Sequence, residues 1–338
     1  MDKLKIGVVG CGYWGPNLIR NFTELPTSEM TMVADLREDR LAHIKDCYPQ
    51  VDITNDYRDL FKCGLDGVVI ATPPATHFKF AKEFLEHDIN VMVEKPLTLD
   101  SISAQSLIDI AEKQDRILMV GHTFEFNSAV HMLKQLIDSG ELGQIYYVDA
   151  VRLNLGLFQR DLNAMWDLAP HDISILLYLL GCRPIAVSAQ GMSCVFGGIH
   201  DIVYLNLVFP NNILAHVHVS WLDPCKVRRV TVVGSKKMVV YNDVAPAEKI
   251  RIYDKGVDAP PYTDSFHDFA CSYRYGDVVI PNVRFVEPLR QECQHFLDSI
   301  ANHQKPQTCG QVGLNVVKVL EVAQHSLSNG GGREIIQW

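Results

Sequence analysis

Asp167 and His171 stand four residues apart in the run Trp166-Asp-Leu-Ala-Pro-His-Asp172, a spacing that places both on one face of a helix. A carboxylate beside an imidazole can orient the ring and hold its pKa near working pH, which makes a general acid/base unit. Lys95 follows a short apolar run, Asn90-Val-Met-Val-Glu-Lys-Pro96, where it would present a positive charge at the end of a strand. Each has a plainer alternative from its own context: Asp167 as a helix N-cap, His171 as a helix-end residue bonded to backbone, Lys95 as a solvated surface lysine. His216 and His218 share one strand face. With no third donor in view they read as sheet-surface histidines, and no metal is expected.

A second chemistry-bearing run is Gly10-Cys-Gly-Tyr-Trp-Gly15, which matches G-x-G-x-x-G. A strand pattern precedes it, Pro16 and a helical pattern follow it, and Asp35 ends the next strand. In such a turn Gly10, Gly12 and Gly15, with Tyr13 and Trp14 between them, bring backbone close to a pyrophosphate. The helix start then offers N–H groups and partial positive charge. Asp35 would accept from adenosine ribose hydroxyls and repel a 2′-phosphate, so NAD is favoured over NADP; Arg37 is the residue that could receive such a phosphate. The alternative is a glycine-rich turn with no ligand.

These residues need elements to position them. Strand patterns at Lys5–Gly10, Met30–Asp35, Gly67–Ala71, Asn90–Glu94 and Leu118–Gly121 alternate with helical patterns near 16–24, 38–47, 76–87 and 101–114. Short Val/Ile/Met-rich strands alternating with helices predict a parallel sheet covered on both faces, the α/β Rossmann arrangement. Ligands bind beyond the carboxyl ends of such strands. The loops carrying Thr72, Pro73 and His77, and Glu94 with Lys95, therefore fall on the cofactor side. After about residue 123 the texture changes to a helix at Phe124–Ser139, a strand at Gln144–Leu153 and a helix at Asp167–Leu180. Strands then follow without intervening helices at Ala186–Val195, Ile202–Phe209, Ile213–Trp221, Val227–Gly234 and Met238–Asn242, and two helices near 287–301 and 311–328 close the chain. The expectation is an N-terminal Rossmann dinucleotide-binding domain over 1–122. A C-terminal α+β domain over 123–338 would hold a large, mostly antiparallel open sheet.

The 338 residues carry a net charge of −9, which argues against a general nucleic-acid binder. None of the nine cysteines forms a C-x-x-C pair, so free thiols in a reducing compartment are the simplest expectation. No apolar run approaches the ~20 residues that span a bilayer, and no signal layout opens the chain. Cytoplasmic residence with no membrane partner follows as an expectation.

Taken together, GCGYWG at 10–15, ATPPATH at 71–77, EKP at 94–96, GHTFEFN at 121–127 and WDLAPHD at 166–172 resemble the Gfo/Idh/MocA oxidoreductases, the family of glucose–fructose oxidoreductase and inositol dehydrogenase. The resemblance covers nearly the whole chain. It implies hydride transfer from a secondary sugar alcohol to NAD, with His171 removing the hydroxyl proton, Asp167 orienting the ring and Lys95 holding the hydroxyl. It also places Trp166 at the cofactor and a dimer or tetramer on the C-terminal sheet. VRLNLG at 151–156 with the helix from Trp166 resembles nucleotide-sugar 3-dehydrogenases acting on UDP-N-acetylglucosamine or its uronate. On that reading Asn127, Arg152, Asn154 and Arg160, with Lys95 and His171, would bind the substrate. Rival readings are a dehydrogenase of a free sugar, inositol or amino sugar, an NAD-using glycosidase, and a non-catalytic nucleotide sensor.

Overall fold

The computed structural model describes residues 3–258 and 271–338. The chain forms two compact units, one holding the residues up to Phe126 with Val286–Glu321, the other Asn127–Phe285 with Val322–Trp338.

In the first unit the order is β1 (Leu4–Val9), α1 (Gly15–Glu24), β2 (Ser28–Ala34), α2 (Glu38–Cys47), β3 (Asp52–Thr54), β4 (Gly67–Ile70), α3 (His77–Glu86), β5 (Asn90–Glu94), α4 (Ser101–Lys113) and β6 (Leu118–Gly121). The strands pair in parallel in the order β3-β2-β1-β4-β5-β6, with the first strand of the chain at the centre. That order reverses direction between β1 and β4, which is where a doubly wound sheet opens a crevice for a ligand. Every residue of β4 and β6 is buried, as the continuous apolar runs require of strands covered on both faces. α1 carries Pro16 in its first turn, which its fixed φ suits, and buries Leu18, Ile19 and Phe22. Asp100 caps α4, its carboxylate accepting from the Ser103 N–H at 2.7 Å.

The second unit contains α5 (Ser128–Asp138), β7 (Ile145–Leu153), α6 (Ala164–Leu180), β8 (Ala186–Met192), β9 (Ile202–Val208), β10 (Leu214–Ser220), β11 (Val227–Gly234), β12 (Met238–Asn242), β13 (Ile250–Asp258) and β14 (Ser272–Val279). Next in the chain come α7 (Pro288–Asn302) and α8 (Gly310–Ser328), which up to Glu321 belong to the first unit, then β15 (Glu334–Ile335) of the second. Nine strands form one sheet, β14-β13-β12-β11-β7-β10-β9-β8-β15, antiparallel except for the central β7/β10 pair. α6 packs on β7, β9 and β10, and α5 on α6 and β12. Tyr147 and Leu214, which are register partners, stay exposed, as does Tyr204 opposite His218.

Three differences from the sequence pattern have physical causes. α7, expected in the second domain, belongs to the first unit. Its apolar stripe Leu289, Cys293, Phe296 and Ile300 joins the core around α1, where Phe296 meets Phe22 edge to face. A helical stripe announces burial and does not name its partner. β3 is a three-residue edge strand, too short to show a pattern. β14 is exposed on nearly every residue, so it lacks the alternation that marks a half-buried strand.

Candidate active site

At the first unit's crevice the glycine turn is built to bring backbone close. Gly10 has φ +96°, and a Cβ there would stand 2.7 Å from the Ala71 carbonyl oxygen. A Cβ on Gly15 would stand 2.2 Å from the Gly10 carbonyl oxygen, so only glycine lets α1 start under the turn. Tyr13 and Trp14 are exposed above it. Asp35, immediately past β2, accepts from the Cys11 N–H at 2.8 Å and the Arg37 N–H at 2.9 Å, tying the end of β2 to the turn. Its remaining lone pairs suit ribose hydroxyls. Burial and the Asp35 carboxylate push the Cys11 thiol up to about 12, which removes it as a nucleophile. The Arg37 guanidinium is bonded to Asp39 at 3.0 Å. Arg40, which the motif gave no reason to single out, lies 3.9 Å from Asp35 and beside Gly12.

The two neighbouring strand ends complete this side. Thr72 and Pro73 follow β4, with the Thr72 hydroxyl accepting from Thr76 at 2.7 Å. His77 was expected to touch the cofactor and does not present itself for it: the ring is fully buried, and both nitrogens meet backbone carbonyls. Glu94 ends β5 buried, accepting from the Lys95 N–H at 3.3 Å, and its Oε1 has no hydrogen-bond partner among the described residues. Burial pushes this carboxyl up to about 7 against the pull of Lys95. A turn that a Cβ would fill and an Asp35 anchored to it together fit a bound NAD. Lys95 is half-buried one residue further on.

Sequence reasoning missed what lies behind Glu94. His122 is fully buried with no partner for either ring nitrogen among the described residues, and burial drives its pKa down to about 3. Glu292 of α7, also fully buried, accepts from the Thr123 hydroxyl at 2.8 Å. Burial holds its carboxyl far above the carboxylate range, with Glu94 adding to the effect. His122 stood inside a recognised run. Glu292 had no local signal at all.

In the second unit α6 begins at Ala164, three residues earlier than the pattern suggested. Asn163 caps it, accepting from the Trp166 N–H at 3.1 Å. Asp167 is therefore not the N-cap. Its Oδ2 accepts instead from the Trp221 indole at 2.9 Å. Pro170 inside the helix withdraws the donor that the Trp166 carbonyl would have used. His171 follows, half-buried, one turn from Asp167. Trp166 is nearly buried in the same helix.

Two of the expected substrate groups are spent on structure. Arg152 forms a bidentate pair with Asp172 at 2.7 and 2.9 Å, both side chains buried, which pins β7 to α6. Asn127 caps α5, accepting from the Ala129 N–H at 2.8 Å. Asn154 remains half-exposed at the end of β7. Arg160 is exposed, with its guanidinium over the Phe196 ring at 5.5 Å. Phe158 bridges Phe196 and Trp221, with ring centroids 6.2 and 5.7 Å away. The His216 ring bonds Asp149 at 2.9 Å, and His218 stacks on Tyr204. Among the described residues no three metal-ligating side chains cluster, and no helix is long and apolar enough to cross a membrane.

The model of the oxidoreductase family with an NAD-binding Rossmann fold matches residues 4–122, and that of the GFO/IDH/MocA C-terminal domain matches residues 130–240. The chain belongs to the Gfo/Idh/MocA oxidoreductase family. Its first unit is thus an NAD-binding Rossmann unit, and the chain is an oxidoreductase of a family with sugar and polyol dehydrogenase members. It is 25% identical over 318 residues to a UDP-N-acetylglucosamine 3-dehydrogenase from Acidithiobacillus ferrooxidans, covering 92% of this chain and 93% of that protein. It is 30% identical over 190 residues to inositol 2-dehydrogenase 2 from Mycolicibacterium vanbaalenii, covering 54% of each. A solved protein from Magnetospirillum magnetotacticum, 28% identical, superposes with a TM-score of 0.80 over 95% of this chain and 99% of its own.

Proposed function

We propose that this oxidoreductase removes hydride from a secondary alcohol of a sugar, most specifically C3 of a UDP-N-acetylhexosamine or its uronate, to give a 3-keto nucleotide sugar. Bound NAD⁺ supplies the hydride acceptor. His171 accepts the hydroxyl proton, Asp167 orients the imidazole, and Lys95 favours the negative charge developing on the oxygen. The observation that carries this reading is the Asp167 carboxylate, fixed by the Trp221 indole one helical turn before a half-buried histidine. Such an arrangement holds an acid/base unit in place. The substrate class is supported by the full-length similarity to the A. ferrooxidans enzyme. It is also supported by the Arg160, Phe158 and Phe196 group, which joins a cation to aromatic faces suited to an anionic sugar conjugate. The similarity to inositol 2-dehydrogenases favours, as a second reading, a free polyol as substrate. The exposed face of the nine-stranded sheet is proposed as the contact of a homodimer or tetramer.

The test is NADH formation across UDP-sugars, free sugars and inositols, with mass analysis of the product. Turnover with a UDP-N-acetylhexosamine or uronate, and a product lighter by two hydrogens, is the expected result. Turnover confined to free polyols replaces the leading reading with the second. Sugar release without net NADH indicates a glycosidase instead.

A further inference from the structure

His77 sits at the first residue of α3 with no exposed surface, yet its ring is used from both sides. Nδ1 lies 2.8 Å from the Pro96 carbonyl oxygen and Nε2 lies 2.8 Å from the Thr72 carbonyl oxygen. Thr72 belongs to the loop after β4, and Pro96 follows Lys95 after β5. One imidazole therefore spans the two loops beside the glycine turn. The Thr72 loop in turn packs on that turn: a Cβ on Gly10 would meet the Ala71 carbonyl oxygen at 2.7 Å and the Thr72 Cγ2 at 3.0 Å. A movement of Thr72 is felt at Gly10, and a movement of Pro96 is felt at Lys95.

We propose that His77 is a positioning residue, a clamp that draws the Thr72 and Pro96 carbonyls together and so fixes Lys95 relative to the dinucleotide on the glycine turn. The inference rests on NAD binding by the Rossmann unit and is independent of which sugar is oxidised.

The clamp has two states. A carbonyl oxygen only accepts, so each contact needs an N–H, and a neutral imidazole has one. Only the imidazolium makes both bonds. In the neutral ring one nitrogen turns a lone pair toward a carbonyl, and that side of the clamp loosens. Burial, and then the Lys95 ammonium from the β5 loop, hold the ring's pKa below that of an ordinary histidine, while the two carbonyls work in the opposite direction. On its own helix the nearest polar side chain, Thr76, is turned to the Thr72 hydroxyl and the Pro73 carbonyl. The full clamp thus belongs to the acidic side of the range and half of it persists above.

Isothermal titration of NAD⁺ into the whole protein tests this without any sugar. His77→Leu, which donates to neither carbonyl, is expected to weaken NAD⁺ by about tenfold at the acid end of the folded range, the effect of one buried charged hydrogen bond. The gap to wild type should narrow toward pH 8.5. Glu94 titrates in the same loop and is present in both proteins, so their ratio isolates His77. Equal affinities, or a gap that does not change with pH, overturn the proposal. A second measurement needs no variant. ¹⁵N-histidine NMR of the wild type should show the ring in contact with Pro96 with two protonated nitrogens in acid and one at pH 8.5. A single unchanging tautomer across that range also overturns it.

Discussion

The two sheets of this molecule bury themselves differently, and the difference divides their work. The six-stranded parallel sheet is covered on both faces, so its chemistry is confined to the strand ends. Asp35, Thr72, Glu94 and His122 all stand at or just beyond a carboxyl end. Among the described residues the nine-stranded sheet is covered on one face only. Its inner face is closed by α6, which also carries Asp167 and His171, while its outer face leaves aromatic side chains in water. The first unit holds a cofactor by backbone and by buried polar groups. The second unit carries the side chains proposed to meet a substrate and the sheet face proposed to meet another copy.

That division can be broken by experiment. The largest effect is expected at His171. His171→Ala should lower turnover by ~10²–10⁴-fold while leaving NAD⁺ affinity unchanged in a direct binding measurement. A parallel loss of NAD⁺ binding would mean that the second unit helps to hold the cofactor. Next is the buried pair that fastens α6 to β7. Asp172→Asn leaves the Arg152 guanidinium buried without its counter-charge and should cost ~3–5 kcal/mol in denaturant unfolding. The double change Arg152→Met with Asp172→Leu should recover most of it, and failure to do so would assign Arg152 more than a packing role.

A subtler contrast lies in pH. The His122 pKa falls to about 3 in the folded protein against an ordinary 6.5, so below 6.5 the unfolded chain binds a proton that the folded one refuses. Stability is therefore lost as pH drops from 6.5 toward 3. His122→Phe should flatten that loss in thermal melts across the acid range, and an unchanged slope would place the acid sensitivity elsewhere. The smallest effect on stability is expected on the open sheet face. Tyr204→Ser should change unfolding free energy by no more than about 0.5 kcal/mol. It should nevertheless weaken self-association in sedimentation experiments if that face joins two copies.

Much of the cofactor side was legible in the chain order. The glycine turn, Asp35, the loop after β4 and Glu94 with Lys95 are local signals, because strand ends, tight turns and helix starts are set by neighbouring residues. The strands β5, β6, β11 and β12 were readable to the residue for the same reason: short apolar runs bounded by turn residues. The substrate side was less legible. Arg152 and Asn127 looked like free polar groups, and the fold consumed one in an ion pair and the other in a helix cap. Trp221 gave no sign that its indole would reach Asp167, 54 residues earlier in the chain.

The sequence by itself determined the Rossmann turn, the order of strands and helices, and the chemical types at each strand end, since these depend on period, glycine placement and residue identity. Only the tertiary structure decided which polar groups are free to act. It turned His77 inward between two carbonyls, brought α7 and Glu292 behind Glu94, and gave Asp167 to Trp221. The reason is that a buried polar group must find its partner wherever packing puts one, and packing joins residues that the chain keeps far apart.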